Sequence, residues 1–285
     1  MDETAFNYNM NSKATKHKIG AKTIMIKTQN QEKLRISAIM SIWGNGERLK
    51  PYLILKGVHN GRIYHSLSKL NEVNKSLVVI NVNNNAWATK NIIKDWIQKI
   101  YIPYFNGTDL SKTLLIWDNA SMHNSFEILK FLNDKKINVI FVQRGLTPIL
   151  QPLDLSINRP LKDLVKRKYE ECIQNIKFKK PPKIKREILL NWILNVWDDK
   201  NKITTEVIKN SFLYCGITNK LDGTEDEMFV GYEKINEIGI IENDFSKEDA
   251  EDENNDISIG ESEDSEDNSS DLEIKNEENN KKNRK

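Results

Sequence analysis

Apolar and polar positions alternate, or apolar positions run in short blocks, over the first third of the chain. KTIMIKT (22–28), LRISAIMSIW (34–43), PYLILKG (51–57) and SLVVINV (76–82) each have the length and β-branched content of a strand. Polar turns separate them, and GNGER, between the second and third, carries a hairpin signal. The period then changes. Thr89 stands at an N-cap position, and Ile92, Ile93, Trp96, Ile97 and Ile100 recur at helical spacing. TLLIWDN (113–119) predicts a buried strand. SFEILKFLNDK predicts a helix with Phe126, Leu129, Phe131 and Leu132 as its apolar positions, and INVIFV (137–142) predicts another strand. Strand, helix, strand over about 30 residues implies a parallel βαβ unit. From residue 155 the pattern is mostly helical, in LKDLVKRKYEECIQNI and KREILLNWILNVWDD. The expected fold class is α/β: a mixed β-sheet flanked by helices, antiparallel in its first part and parallel in its second, with a helical C-terminal extension.

Residues 242–285 break this pattern. They are Asp, Glu, Asn, Ser and Lys with almost no aromatic residues. Such a segment cannot bury enough apolar area to offset its ordering entropy, so a disordered acidic tail is expected. Charge divides at the same place. Residues 1–240 carry 37 basic and 24 acidic side chains, and residues 241–285 carry 6 and 17, so the net +2 hides a basic body and an acidic tail. A basic body favours an anionic partner, nucleic acid being the common one; a merely lysine-rich surface is the plainer alternative. Cys172 and Cys215 are the only cysteines, with no CxxC pair and no zinc spacing, which fits a reducing intracellular compartment. The sequence has neither a signal peptide nor an apolar run of membrane length, so a soluble chain with no membrane partner is expected.

The candidate chemistry begins in LLIWDNASMH (114–123), where a buried strand ends on Asp118. A carboxylate is costly in a core unless it is paired or binds a cation. At a strand end it faces the crevice where α/β proteins place ligands. Asp154, in QRGLTPILQPLD, stands where a loop enters a helix, on one helical face with Ile157, Leu161, Leu164 and Val165. Pro160 either kinks that helix or marks its first turn. Asp2 opens the chain in MDETAF. Hard oxygen ligands of this kind suit Mg²⁺ or Mn²⁺; capping is the ordinary alternative for an aspartate at a helix start.

Taken in order, MDETAF, LLIWDNASMH and QPLDLSINRPLKDLVKRKYEE resemble the DDE superfamily endonuclease domain of pogo/Tigger-type transposases, the group that includes centromere protein B and jerky-like proteins. AWATKNIIKDWI is similar to the segment that precedes the family's second aspartate. The resemblance spans roughly residues 1–215. It implies an RNase H-like fold, a catalytic and metal-binding triad on Asp2, Asp118 and Asp154, and Mg²⁺ as the cofactor, with Mn²⁺ substituting. It also implies DNA as the partner, cleavage and strand transfer as the reaction, and the nucleus as the location. Only Met1 precedes Asp2, so the first strand is expected to be truncated and Asp2 poorly held. The family's separate helix-turn-helix DNA-binding domain is expected to be absent from this chain. The expected organisation is the endonuclease domain over 1–215, a poorly defined extension over 216–241 and the tail over 242–285.

Other residues carry weaker signals. His123 is a candidate second-shell group beside the metal, or a histidine hydrogen-bonded at a helix start. Asn119 reads equally as an amide-oxygen ligand or a cap. Glu3 points to the face opposite Asp2 and reads as solvated. Lys162, Lys166, Arg167 and Lys168, continued by Lys179 and Lys180, read as DNA-binding cations that follow phosphates past the site, or as a solvated helix face paired with Asp163, Glu170 and Glu171. IKFKKPPKIKR (176–186) is also a passable nuclear-import patch. The six tryptophans read as core more than as base-stacking platforms. The function expected is Mg²⁺-dependent DNA cleavage. The alternative is a catalytically inactive, truncated or domesticated copy that binds nucleic acid or protein. A homo-oligomer is left open.

Overall fold

The computed structural model describes residues 1–10, 34–65, 77–174 and 184–231. Every described residue belongs to one compact unit, Met1–Ile240, and the disordered tail expected over 242–285 lies outside the described residues. The strand expected at 22–28 and the cations Lys179 and Lys180 lie outside the described residues.

Among the described residues four strands make one sheet in the order β1 (Asp2–Asn7), β2 (Arg35–Met40), β3 (Tyr52–Lys56) and β4 (Val79–Asn83). β1 pairs antiparallel with β2 along its whole length, from Asp2 opposite Met40 to Asn7 opposite Arg35. β2 and β3 are also antiparallel, joined through the GNGER turn. That turn closes by the Trp43 amide donating to the Glu47 carbonyl over 2.8 Å. Gly46 has φ +93°, and a Cβ there would stand 2.9 Å from the Thr205 carbonyl oxygen, so glycine is required twice over. β4 corrects the expectation of an all-antiparallel first part: it runs parallel to β3, Tyr52 opposite Val79. A connection of more than twenty residues, not a hairpin, permits that.

A second sheet holds β5 (Leu114–Asp118) and β6 (Asn138–Val142), parallel and in register from Leu114 opposite Asn138 to Asp118 opposite Val142. The helix between them, α2 (Phe126–Asp134), completes the expected βαβ unit. Its buried stripe is Ile128 and Leu132. Phe126, expected to face inward, sits at the first helical position and is 82% exposed. Before β5, α1 (Lys90–Trp96) is capped by the Thr89 hydroxyl accepting from the Ile92 amide, and continues through a π-helical turn, Ile97–Tyr101.

The first sheet is covered on both faces, which is why its strands read as near-continuous apolar runs. On one face Phe6, Ile36, Ala38, Met40, Leu53 and Leu55 pack with Ile157, Leu161 and Val165, and with Leu189 and Ile193 of α5 (Arg186–Asp198). On the other, Met1, Ile39, Tyr52 and Ile54 pack with Ile92, Ile93, Trp96, Trp117 and Ile128. Successive residues of β2 and β3 thus serve opposite cores, as the pleat requires. Trp87 departs from the expected core role: it is exposed, with the Arg35 guanidinium 3.9 Å from its ring centroid.

The two sheets meet at the start of β1. The Met1 nitrogen donates to the Ile116 carbonyl over 2.9 Å. Alongside that bond, between Ser41–Trp43 and Leu114–Ile116, lies a largely apolar cavity of about 330 Å³. No strand ladder therefore runs from one sheet to the other among the described residues.

Candidate active site

Strand alternation places Asp2, Thr4 and Phe6 on the face of β1 that meets the long helix α4 (Asn158–Gln174). Asp2 is 8% exposed. Two side-chain amides hold it. Gln151, which follows the short helix α3 (Thr147–Leu150), donates from Nε2 to the Met1 carbonyl over 3.1 Å and to Asp2 Oδ1 over 3.0 Å. Asn158 Nδ2 donates to Asp2 Oδ2 and also, over 2.9 Å, to Asp154 Oδ1. One amide group thus spans two carboxylates, and Asp2 is buried and doubly bonded where the sequence suggested a poor hold.

The backbone explains how Asp154 reaches this position. It lies in a π-helical turn, Leu153–Ile157, that runs directly into α4. Pro160 is the third residue of α4, so it sits in a first turn and the helix also begins before it. The proline ring would press on the carbonyl four residues back in a regular helix, and the wider π turn relieves that. Asp154 and Asn158 fall one turn apart and face the same way, while Ile157, Leu161 and Val165 fill the core beneath.

Burial, and then the charge of Asp154, push the Asp2 carboxyl up to about 7, against the opposing Asn158 hydrogen bond. The carbonyl oxygens Oε1 of Gln151 and Oδ1 of Asn158 are buried and accept no hydrogen bond. The carboxylates of Asp2 and Asp154 are hard oxygen donors of the kind that suits a divalent cation, and the groups that face them here are the amide nitrogens of Gln151 and Asn158.

Asp118 is held differently. It ends β5 with its side chain 35% exposed, and the Ala120 amide donates to its Oδ1 over 3.4 Å. The same oxygen is bonded to Nδ1 of His123, which a tight turn brings back beneath the strand: the His123 amide donates to the Ala120 carbonyl over 3.0 Å. The imidazole is 3% exposed and stacks on Trp117 with centroids 4.5 Å apart and planes 6° from parallel. Its Nε2 lies 3.3 Å from Oε1 of Glu3. Burial disfavours the imidazolium, but Asp118 and Glu3 outweigh it and raise His123 to about 9. Burial likewise raises Asp118, and the bond and charge of His123 outweigh it, so that carboxyl is held below its usual range.

The three aspartates therefore stand as two plus one. Asp2 and Asp154 share Asn158, while Asp118 belongs to the histidine. Among the described residues no three Asp, Glu, His or Cys side chains are close enough to hold a metal ion together. Asn119 accepts from Asn124 Nδ2 over 3.1 Å, so its amide oxygen closes the local turn. Glu3 is half-buried and engaged, where the sequence suggested a solvated residue. Of the expected DNA-binding cations on α4, Lys166 and Lys168 pair with Glu170 and Glu171 at 3.7 and 3.4 Å, and Lys162 and Arg167 are exposed. Sequence reasoning assigned no role to Gln151 or Asn158, although both fall within QPLDLSIN. The spacing of Asn158 four residues after Asp154 is the signal that points to it.

Comparison with known proteins adds the following. The family model described as DDE superfamily endonuclease matches residues 33–212, a span that includes Asp118 and Asp154 and leaves Asp2 outside. The chain is 28% identical over 236 residues to the mouse (Mus musculus) protein "Pogo transposable element with KRAB domain", and 26% identical to its human (Homo sapiens) counterpart. Each alignment covers 80% of this chain and 36% of the relative, so the chain spans about a third of their length. It is also 28% identical over 137 residues to the mouse Jerky protein, covering 45% of this chain and 23% of that one. Among the described residues no helix is long and apolar enough to cross a membrane.

Proposed function

The chain belongs to the DDE superfamily endonuclease family, and on that premise we propose that Asp2, Asp118 and Asp154 are the carboxylates of a DNA-cleaving centre that works with Mg²⁺, Mn²⁺ substituting. The observation that carries this reading is the Asp2–Asn158–Asp154 bridge, buried at Asp2 and Asn158 and half-buried at Asp154, at the start of β1 where the Met1 nitrogen meets the strand that ends on Asp118. An RNase H-like core belongs to the same reading. Its support is the antiparallel β1–β2–β3 order, the parallel β5–β6 pair, and the Met1–Ile116 bond where the two sheets meet.

In this centre Asp2 and Asp154 would hold one cation and Asp118 would complete the set. Bound divalent ions supply activation of the attacking oxygen and stabilisation of the leaving one in phosphodiester cleavage. The chain's own groups do the rest. Gln151 and Asn158 orient the Asp2 oxygens, His123 fixes the Asp118 carboxylate, and Lys162 and Arg167 lie along α4 where duplex phosphates would pass. DNA as substrate and the basic 176–186 segment make the nucleus the compartment of action.

The experiment is nicking of supercoiled plasmid by the full chain, with and without Mg²⁺ or Mn²⁺. Metal-dependent nicking that Asp154→Ala lowers by at least a thousandfold is expected, since one ligand of a metal clamp supplies both charge and geometry. Nicking that survives Asp154→Ala overturns the site assignment. A folded chain that binds duplex DNA and never nicks it, at any metal concentration, is the result expected of the inactive alternative.

A further inference from the structure

We infer that Glu3 and His123 form a strap that sets the position of Asp118 relative to Asp2. Both are positioning residues for the cation site, and this inference rests on the reading proposed above. The need for a strap follows from the sheet topology. Asp2 lies on β1 and Asp118 on β5, in different sheets. Within one ladder the spacing of two carboxylates is fixed by backbone hydrogen bonds every few ångströms. Among the described residues the hydrogen bond that links the start of β1 to β5 is the one from Met1 to Ile116, with a cavity beside it. The spacing of the two aspartates is then left to side-chain contacts, and a metal site tolerates an error of only about half an ångström.

The side chains supply what the ladder lacks. His123 reaches Asp118 Oδ1 with Nδ1 and approaches Glu3 Oε1 to 3.3 Å with Nε2. Glu3 is the residue after Asp2 on the same strand, so a rigid planar ring ties β1 to the end of β5 on the face opposite Asp2. The ring has no freedom to swing. It is 3% exposed, stacked flat on Trp117, and pinned by the turn bond from its own amide to Ala120. Glu3 Oε1 and His123 Nε2 are both buried and neither has a hydrogen-bond partner, so their mutual approach is the interaction that accounts for each. Groups that touch a ligand's other side characteristically orient it, and their loss weakens metal binding ten- to a hundredfold.

The test uses the full chain and Mn²⁺, followed by calorimetric titration and by thermal melting of the metal-free protein. Glu3→Ala should weaken Mn²⁺ binding about tenfold, and Glu3→Gln, which can still accept from Nε2, should restore most of it. His123→Phe keeps the stacking on Trp117, loses both nitrogens, and should match or exceed the loss in Glu3→Ala. A Glu3→Ala chain that binds Mn²⁺ as the unaltered one does, whatever its melting temperature, overturns the strap. If the unaltered chain binds no Mn²⁺ at millimolar concentration, the cation reading fails, and the strap is then judged by a double-mutant cycle of Glu3→Ala and Asp118→Ala on the metal-free melt. Additive effects in that cycle overturn it, and non-additive effects support it.

Discussion

Asp2 and Asp118 are the same residue type, each at one end of a strand, and they are held in opposite ways. Asp2 is buried among neutral amides with a second carboxylate nearby, and its carboxyl rises to about 7. Asp118 is half-exposed against an imidazole and falls below its usual range. The amide cradle of Gln151 and Asn158 orients the Asp2 oxygens without neutralising the carboxylate. The imidazole already compensates Asp118. On the cation-binding reading proposed above, the contrast gives the two sides different tasks: the Asp2–Asp154 side would supply affinity for a cation, and the Asp118 side would supply placement.

Several measurements would break or sharpen that contrast, the largest effect first. With metal absent, stability should fall as pH rises from about 4 to about 7. The sign follows from Asp2: over that window the folded state holds a proton that the unfolded state has released, so raising the pH favours unfolding. A shift of the size given for Asp2 corresponds to up to about 4 kcal/mol. Urea midpoints of the unaltered chain and of Asp2→Asn check it: the neutral variant should be flat over this window. Millimolar Mn²⁺ should reverse the slope for the unaltered chain, because the ionised carboxylate is the form that binds.

Second in size is Asn158→Leu at pH 8. It leaves Asp2 and Asp154 facing each other without the shared donor, and about 3 kcal/mol of stability should be lost, as for other breaks in buried polar networks. The loss should shrink at pH 5, where Asp2 is protonated. An equal loss at both pH values would mean that Asn158 merely packs.

On the Asp118 side the window is different. His123 is raised in the folded state, so its contribution is full below about 6.5 and is lost as pH rises through about 9. Solvent at half-exposed Asp118 screens the pair, so about 1–2 kcal/mol is expected. Asp118→Asn should flatten this upper window and leave the lower one intact, while Asp2→Asn should do the reverse. Exchange of the two windows would refute the assignment of partners. The smallest effect is expected on α4. Lys168→Ala should change stability by less than about 0.5 kcal/mol, since its pairing with Glu171 is an exposed helical one. Lys162→Ala and Arg167→Ala should each reduce the salt dependence of DNA binding by roughly one phosphate contact.

Elements with a strong local period were legible in sequence. Thr89 capping α1, the Ile92–Ile100 stripe and the β5–α2–β6 unit all depend on neighbours close in the chain. So did the placement of Asp118 at a strand end and of Asp154 on a core-facing helix start. What escaped depends on contacts between distant residues. Glu3 reads as solvated because alternation sends it away from Asp2, and nothing local reveals that His123 waits on that face. Gln151 and Asn158 are ordinary amides until β1 is laid against them. The parallel pairing of β4 was hidden for the same reason, since a strand's direction is set by its partner and not by its own pattern.

The π turn at Leu153–Ile157 has a consequence for how such a chain changes over generations. It holds one residue more than a regular turn would need. Losing a single codon at Leu155 or Ser156 would close the turn to ordinary α-helix and bring back the clash of the Pro160 ring with the carbonyl before it. The body of α4 would stay seated, since Ile157, Leu161 and Val165 are already in their pockets. Asp154, upstream of the deletion, would swing by about 100° around the helix axis. It would leave Asn158, and with it Asp2, while the exposed cations of α4 kept their places. One in-frame deletion at this point would thus part Asp154 from Asp2 while leaving the hydrophobic face of α4 in place.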